Sequence, residues 1–255
     1  MAAGQLAGAY ADPDLGAFEL GFWEDGVQVR RSLGACWDVR FERAVPVRPF
    51  RWPKGGESFA GWYFCATTGG HIGYESWLER DRLILLDADP QVAGIASQPF
   101  WLHWHDGRRR RRHAPDYFVR LADGRGRVVD VRAADRVDEA AAEAFVVTER
   151  ACRAVDWEFE RAGVPDPVLM ANMRWLSRYR RMRCLRRHVA TELLEVFSEP
   201  GPLRPGAAKA GDPLMVLPVL FHLLWSGALV TDVSTRLLGS DSVVHAAARG
   251  PRWDV

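Results

Sequence analysis

At 255 residues the chain is long enough for one large domain or two small ones with a substantial core. Its apolar share of 48% and charged share of 26% are those of an ordinary soluble globular protein. A net charge of only +1 excludes a polycation, so any nucleic-acid binding has to come from local basic patches.

In chain order, residues 1–66 read as a β-rich extension. Short alternating pieces, Val27–Arg30 and Trp37–Phe41, stand between Gly and Pro punctuation. From Thr67 the pattern changes. The turn Thr67-Thr68-Gly69-Gly70 leads to a helix over about Tyr74–Leu86, then strands near Val92–Ser97 and Phe100–His105. Strands Tyr117–Leu121 and Arg127–Arg132 follow, joined by the turn Asp123-Gly124-Arg125-Gly126. An Ala- and Glu-rich helix over about Ala134–Val155 and a strand at Asp156–Glu160 complete a mixed α/β unit with a central sheet, residues 67–163.

After Pro167 the chain turns helical and basic, and residues 168–255 read as a mainly helical C-terminal domain. Leu176, Tyr179, Met182, Leu185, Val189, Leu193 and Val196 fall at three- and four-residue spacings, one apolar helical stripe. Glu199–Asp212 reads as a loop and Pro213–Trp225 as a second apolar helix. Leu229–Val233 with Ser242–His245 forms a small hairpin, and helices followed by a hairpin permit a winged helix-turn-helix. Pro213–Trp225 is too short to span a bilayer. The four cysteines, Cys36, Cys65, Cys152 and Cys184, are scattered with no CxxC pair, which argues against a zinc ribbon. With no secretory signal in the sequence, the expected location is the cytoplasm, with no membrane partner.

The chemistry concentrates in His113-Ala114-Pro115-Asp116-Tyr117 and, across a hairpin, Val128-Val129-Asp130-Val131-Arg132. Strand side chains alternate, so Asp130 and Arg132 share a face, and an antiparallel neighbour beginning at Asp116 sets its carboxylate beside Asp130. Two carboxylates converging on one point repel unless a cation lies between them. Magnesium suits such a place, taking one or two carboxylates and leaving positions for water and a substrate phosphate. Upstream, Glu75 and Glu79 share a helical face, and either could reach the metal from the side.

The order helix-Glu, P-D-Y, D-V-R resembles the nuclease core of PD-(D/E)xK restriction and repair enzymes. The run Trp77–Phe100 (WLERDRLILLDADPQVAGIASQPF), followed by H-A-P-D-Y, is similar to the TnsA family, the cutting subunits of heteromeric transposases. The likeness covers about Thr67–Glu160 and continues more loosely into Gly211–Trp225. It implies a restriction-endonuclease-like core with a mixed central sheet, followed by the helical domain. Glu79, Asp116 and Asp130 would hold Mg2+ (Mn2+ substituting) with help from the carbonyl of Val131. The reaction implied is hydrolysis of one DNA strand at transposon ends, with a DDE-type transposase subunit and an ATPase regulator as partners. The family's lysine falls at Arg132. Arginine stays protonated, so it can hold a phosphate or an attacking hydroxide but cannot act as a general base.

Other features carry two readings each. Asp116 after a proline is a common turn opening, and Asp130 reads otherwise as a solvated strand residue. The run Arg108, Arg109, Arg110, Arg111, Arg112 reads equally as a solvated loop or as a phosphate clamp. His103 and His105 are better read as core or surface histidines than as zinc ligands, and His113 as a neighbour of the site. Arg174, Arg178 and Arg181, among seven arginines within Arg174–Arg187, form either a solvated helix face or a surface for DNA or an acidic partner. Two alternatives to the transposase subunit stand beside it: a stand-alone restriction or repair nuclease, and a catalytically degenerate fold serving as a DNA- or partner-binding scaffold.

Overall fold

A computed structural model describes residues 16–50 and 59–248. Of the expected β-rich extension, residues 1–15 and 51–58 lie outside the described residues, as do residues 249–255 of the C-terminal domain. The chain divides into two units, one of residues 1–79 and 91–164, the other of residues 80–90 and 165–255.

The first unit runs β1 (Glu19–Glu24), β2 (Val27–Ser32), β3 (Gly61–Cys65), β4 (Gly70–Tyr74), the start of α1 (Trp77–Ala88), β5 (Val92–Ser97), β6 (Trp101–His105), β7 (Arg110–His113), β8 (Tyr117–Leu121), β9 (Gly126–Val131), α2 (Glu139–Ala154) and β10 (Glu158–Ala162). One sheet has the order β2-β1-β6-β7, all antiparallel; the other has the order β10-β9-β8-β5. In the second sheet β5, β8 and β9 are antiparallel neighbours and β10 runs parallel to β9, so this sheet is mixed. β3 and β4 form a separate two-stranded ribbon. The protein is therefore α/β, as expected.

Physical causes are legible in each element. β1 and β2 are joined at Asp25-Gly26, both with positive φ (49° and 78°), the pairing that two-residue hairpins demand. β8 and β9 are buried along nearly their whole length and read as near-continuous apolar runs, the mark of strands covered on both faces. α2 starts where the Asp138 carboxylate accepts the Ala141 N–H, and it buries Ala141, Ala144, Phe145, Thr148, Ala151 and Cys152 at helical spacing. It ends at Ala154, and the chain turns away two residues later at Asp156, whose φ is +56°.

The core of this unit joins both sheets and α2. Phe41 is fully buried and its ring meets Phe22, Phe100, Phe118 and Trp157 at centroid distances of 4.9–5.8 Å. Residues 16–50 are thus not an appendage to 67–163. β1 pairs with β6, and Phe18, Leu20, Phe22, Leu33 and Phe41 supply part of the shared core. Pairing between strands so distant in sequence leaves no periodic trace in either one.

The second unit contains the rest of α1, then α3 (Pro167–Leu176), α4 (Arg187–Val196), β11 (Gly201–Pro202), α5 (Leu203–Lys209), α6 (Pro213–Trp225), β12 (Leu229–Thr231) and β13 (Val243–Ala246). Its sheet has the antiparallel order β11-β13-β12. α3 and α6 both open on an aspartate followed by proline, Asp166-Pro167 and Asp212-Pro213, with the carboxylate accepting N–H groups of the first turn.

Two expectations are corrected here. The stripe from Leu176 to Val196 is not one helix: 3-10 turns at Ser177–Tyr179 and Met182–Cys184 interrupt it, and Arg181 and Leu185 are extended. A continuous helix would stack like charges three and four residues apart through the arginine run. In addition, Tyr179 turns its carbonyl to Nδ1 of buried His222, 2.8 Å away. The expected loop Glu199–Asp212 contains α5, which buries Leu203 and Ala207. Its Gly206 allows the Phe197 ring to approach so closely that an added Cβ would lie 2.4 Å from it.

Candidate active site

The β8–β9 register ends with Tyr117 opposite Val129; Asp116 immediately precedes the one and Asp130 immediately follows the other, so both acids lie at the same end of the hairpin. Asp116 is fixed by its neighbours: its carbonyl accepts the Gln98 N–H (2.9 Å) and its Oδ2 accepts the Val131 N–H (2.7 Å). Asp130 is 2% exposed, and both its oxygens face Nε2 of His113, at 2.8 and 3.0 Å. Because His113 belongs to β7, this contact links the two sheets.

Burial drives the Asp116 carboxyl well above the usual carboxylate range, and the negative charges of Glu79 and Asp130 push it further. The Val131 N–H and the charge of Arg48 act the other way without compensating. Glu79 is raised as well, by burial first and also by the charge of Glu75. The acids expected from sequence, Glu79, Asp116 and Asp130, therefore share one electrostatic neighbourhood.

Glu79 also has a structural task. Ser76 and Glu79 form a capping box at the start of α1. The Glu79 N–H donates to Ser76 Oγ (3.1 Å), Ser76 Oγ donates to Glu79 Oε1 (2.9 Å), and the Glu75 N–H donates to Glu79 Oε2 (2.7 Å). The spacing Ser76-x-x-Glu79 is a readable signal that the sequence reading missed. Glu75 has a different fate: both its oxygens bind the Arg48 guanidinium at 2.8 Å. Arg48 comes from the segment before residue 66 and was not expected at the site.

Val131 contributes its N–H to Asp116, as above. Arg132 is exposed, and its N–H continues the ladder to the Ala162 carbonyl (2.9 Å). The arginine run is only partly a loop. Arg108 and Arg109 turn about Asp106, whose Oδ1 accepts both their N–H groups at 2.8 Å, whereas Arg110–His113 is β7. Strand alternation divides the run. Arg111 points inward to Glu143 (2.7 Å) and Asp106 (3.3 Å), while Arg110 and Arg112 are exposed, Arg112 lying 4.2 Å over the Trp101 ring. His105 accepts the Gly107 N–H, and burial with nearby Arg30 and Arg112 lowers the pKa of His103.

In the second unit, Arg174 is bound to the buried carboxylate of Asp81. Arg178 is exposed over the Trp175 ring at 5.1 Å, and Arg181 precedes the second 3-10 turn. The interruption of the helix thus separates the three arginines that were expected to share one face.

Among the described residues, no group of three or more His, Cys, Asp or Glu side chains is arranged to hold a metal ion. The oxygens of Glu79 are engaged with Ser76 and Glu75, and those of Asp130 with His113. Carboxylate oxygens are donors that a hard divalent cation takes, and the charges of Glu79 and Asp130 both bear on Asp116. No protein-family model matches the chain, and no curated protein sequence matches it. Among the described residues, no helix is long and apolar enough to cross a membrane.

Proposed function

We propose that the protein is a metal-dependent DNA endonuclease with a restriction-endonuclease-like core, acting as the TnsA-like cutting subunit of a heteromeric transposase. The observation that carries this reading is the partly buried Asp116 carboxyl at the Asp130 end of the β8–β9 hairpin, repelled by both Asp130 and Glu79. Such a cluster is electrostatically unfavourable on its own and is relieved by a divalent cation. Asp116 and Asp130 would hold Mg2+ or Mn2+, with Glu79 joining from α1. When bound, the ion lowers the pKa of water and neutralises charge on a phosphodiester.

The chain's own residues supply the rest. The Val131 N–H orients Asp116, His113 holds Asp130, and Arg132 sits where a phosphate oxygen can accept from its guanidinium. The order α4-β11-α5-α6-β12-β13, with sheet order β11-β13-β12, supports a winged-helix reading of the second unit. α6 is strongly apolar and largely buried, so it does not serve as a base-reading helix in this unit. A DDE-type transposase subunit, an ATPase regulator and a cytoplasmic location belong to the same proposal.

The test is nicking of transposon-end DNA by the full chain with its partner transposase and magnesium. Asp116→Ala abolishes nicking on this reading, and undiminished cutting by that variant removes the site. Cutting of plain DNA by the chain alone points instead to a stand-alone nuclease. A second reading is favoured by the engagement of Glu79 in the capping box and of Asp130 with His113: a degenerate nuclease fold acting as a DNA- or partner-binding scaffold. Calorimetry that detects neither Mg2+ nor Mn2+ binding selects it.

A further inference from the structure

The sheet β2-β1-β6-β7 has two unlike faces, because strand alternation sorts its side chains between them. Leu20, Phe22, Leu102 and Trp104 belong to the core. Arg111 and His113 share that side, where Arg111 reaches Glu143 of α2 and His113 reaches Asp130. The residues between them point the other way. On that outer face Arg112 stands opposite His103, Trp101 opposite Gly21, and Gly21 opposite Arg30. Arg110 lies one row to one side of this group and Trp23 one row to the other, so the set extends roughly 20 Å along the strands.

Charge is unevenly spread over this face. Arg110 and Arg112 are exposed, and among the described residues no carboxylate forms an ion pair with either. Arg30 is paired with Glu19. Burial lowers the pKa of His103, and the charges of Arg30, Arg112 and Arg110 lower it further, so these guanidinium groups gather around one neutral ring. Flat rings alternate with the cations. Trp23 is 39% exposed, and Arg112 lies 4.2 Å over the Trp101 ring. The His103 ring lies against Gly21: an added Cβ there would come within 3.1 Å of its Nε2, so glycine lets the imidazole lie close to the sheet.

Unpaired cations interleaved with flat rings narrow the ligand. Guanidinium forks match phosphate oxygens bidentately. Arg110 and Arg112 stand two strand residues apart, roughly 6.6 Å, on the scale of one nucleotide in an extended backbone. Aromatic side chains and arginine planes stack on unpaired bases, whereas a duplex keeps its base faces covered. An acidic peptide would use the guanidinium groups but leave the rings idle. We infer that the outer face of β2-β1-β6-β7 binds an unpaired nucleic-acid strand, with phosphates on Arg110 and Arg112 and bases stacked on Trp23 and on the Trp101–Arg112 pair. The inference does not rest on the nuclease reading. His113, which touches Asp130, follows Arg112 on β7 and so points to the opposite face, and a strand bound here lies away from the acids.

The experiment is fluorescence anisotropy of a short labelled oligothymidylate titrated with the full chain in EDTA, so that no metal takes part and nothing is cut. Its duplex with oligoadenylate, an abasic strand of the same length and polyglutamate are the comparison probes. The single strand should bind at least about fivefold more tightly than any of the three. The abasic strand keeps the phosphates and drops the bases, so it tests stacking without any substitution. Arg110→Ala and Arg112→Ala together should weaken binding roughly tenfold or more and flatten the salt dependence by about 1.4, at about 0.7 per phosphate. Trp23→Ala should weaken it at least about fivefold and leave the salt dependence unchanged. Arg153→Ala removes one exposed charge from α2 and should leave the affinity as it was. Circular dichroism checks that each variant is folded. Equal binding of the duplex or the abasic strand reduces the face to a phosphate surface and overturns the inference. Equal binding of polyglutamate overturns it in favour of an acidic protein. Unchanged affinity in the double arginine variant, or no binding by the native chain, also overturns it. Nicking by Asp116→Ala bears on the acid site alone, so the two readings fail separately.

Discussion

His113 Nε2 lies 2.8 and 3.0 Å from the two carboxylate oxygens of Asp130, so one imidazole from the β2-β1-β6-β7 sheet holds a buried acid of the other sheet. Removing the ring leaves a carboxylate that is 2% exposed without its partner. His113→Ala is therefore expected to cost about 1–3 kcal/mol of stability, the usual penalty for an unmet buried polar group. Urea melts measure this, and a cost below about 0.5 kcal/mol means the contact contributes nothing to the fold.

Asp116 gives the opposite prediction. Its carboxyl is raised by burial and by the charges of Glu79 and Asp130, so the folded state favours its protonated form. An acid whose folded pKa exceeds its unfolded value contributes stability below the unfolded pKa and loses it as pH rises through the folded one. Glu79 has the same sign. Stability of the metal-free protein should fall over that rise. Asp116→Asn, which keeps an oxygen for the Val131 N–H, should be about 0.5–2 kcal/mol more stable than the native chain at pH 8. Thermal melts across pH decide this, and a variant less stable at pH 8 shows that the repulsion is absent.

Magnesium links this site to ligand binding. A cation that binds only the folded chain raises its melting temperature by mass action. Added Mg2+ should raise the melting temperature of the native chain at pH 8 and leave that of Asp116→Asn nearly unmoved. Equal shifts in both would place any bound metal elsewhere.

The two roles of Glu79 can be separated. Glutamine serves in a capping box as glutamate does, but it carries no charge for a metal. Glu79→Gln should keep the native stability while losing nicking. Ser76→Ala should lose about 1 kcal/mol by removing the cap. If Glu79→Gln nicks DNA normally, Glu79 is a capping residue and nothing more.

The thiols provide an independent check of the fold. Cys36, Cys65 and Cys152 are buried, and burial pushes the Cys36 thiol up to about 11 and that of Cys152 higher still. The thiolate is the reactive species, so these groups should resist modification at pH 8. Ellman's reagent should label Cys184 alone in the native chain and all four thiols in denaturant. Rapid native labelling of two or more contradicts the packing around them.

What the amino-acid order settled by itself was local. β5 and β8 lie where apolar alternation and flanking turns put them, at Val92–Ser97 and Tyr117–Leu121. α6 spans Pro213–Trp225 because Asp212-Pro213 starts it and an apolar run carries it. The β8–β9 hairpin, which brings Asp116 and Asp130 to the same end, was readable too, since a short hairpin fixes the register of the two strands it joins. Tertiary structure decided what depends on segments far apart in the chain. β1 pairs with β6, Phe41 fills the core of the first unit, Arg48 reaches Glu75, and His113 reaches Asp130. Each of these is a single residue or strand whose partner is chosen by packing, and an isolated arginine or histidine carries no periodicity to announce it. The arginines show the same division. Their clustering is written in the sequence, but strand alternation, Glu143 and Asp81 determine which charges remain unpaired.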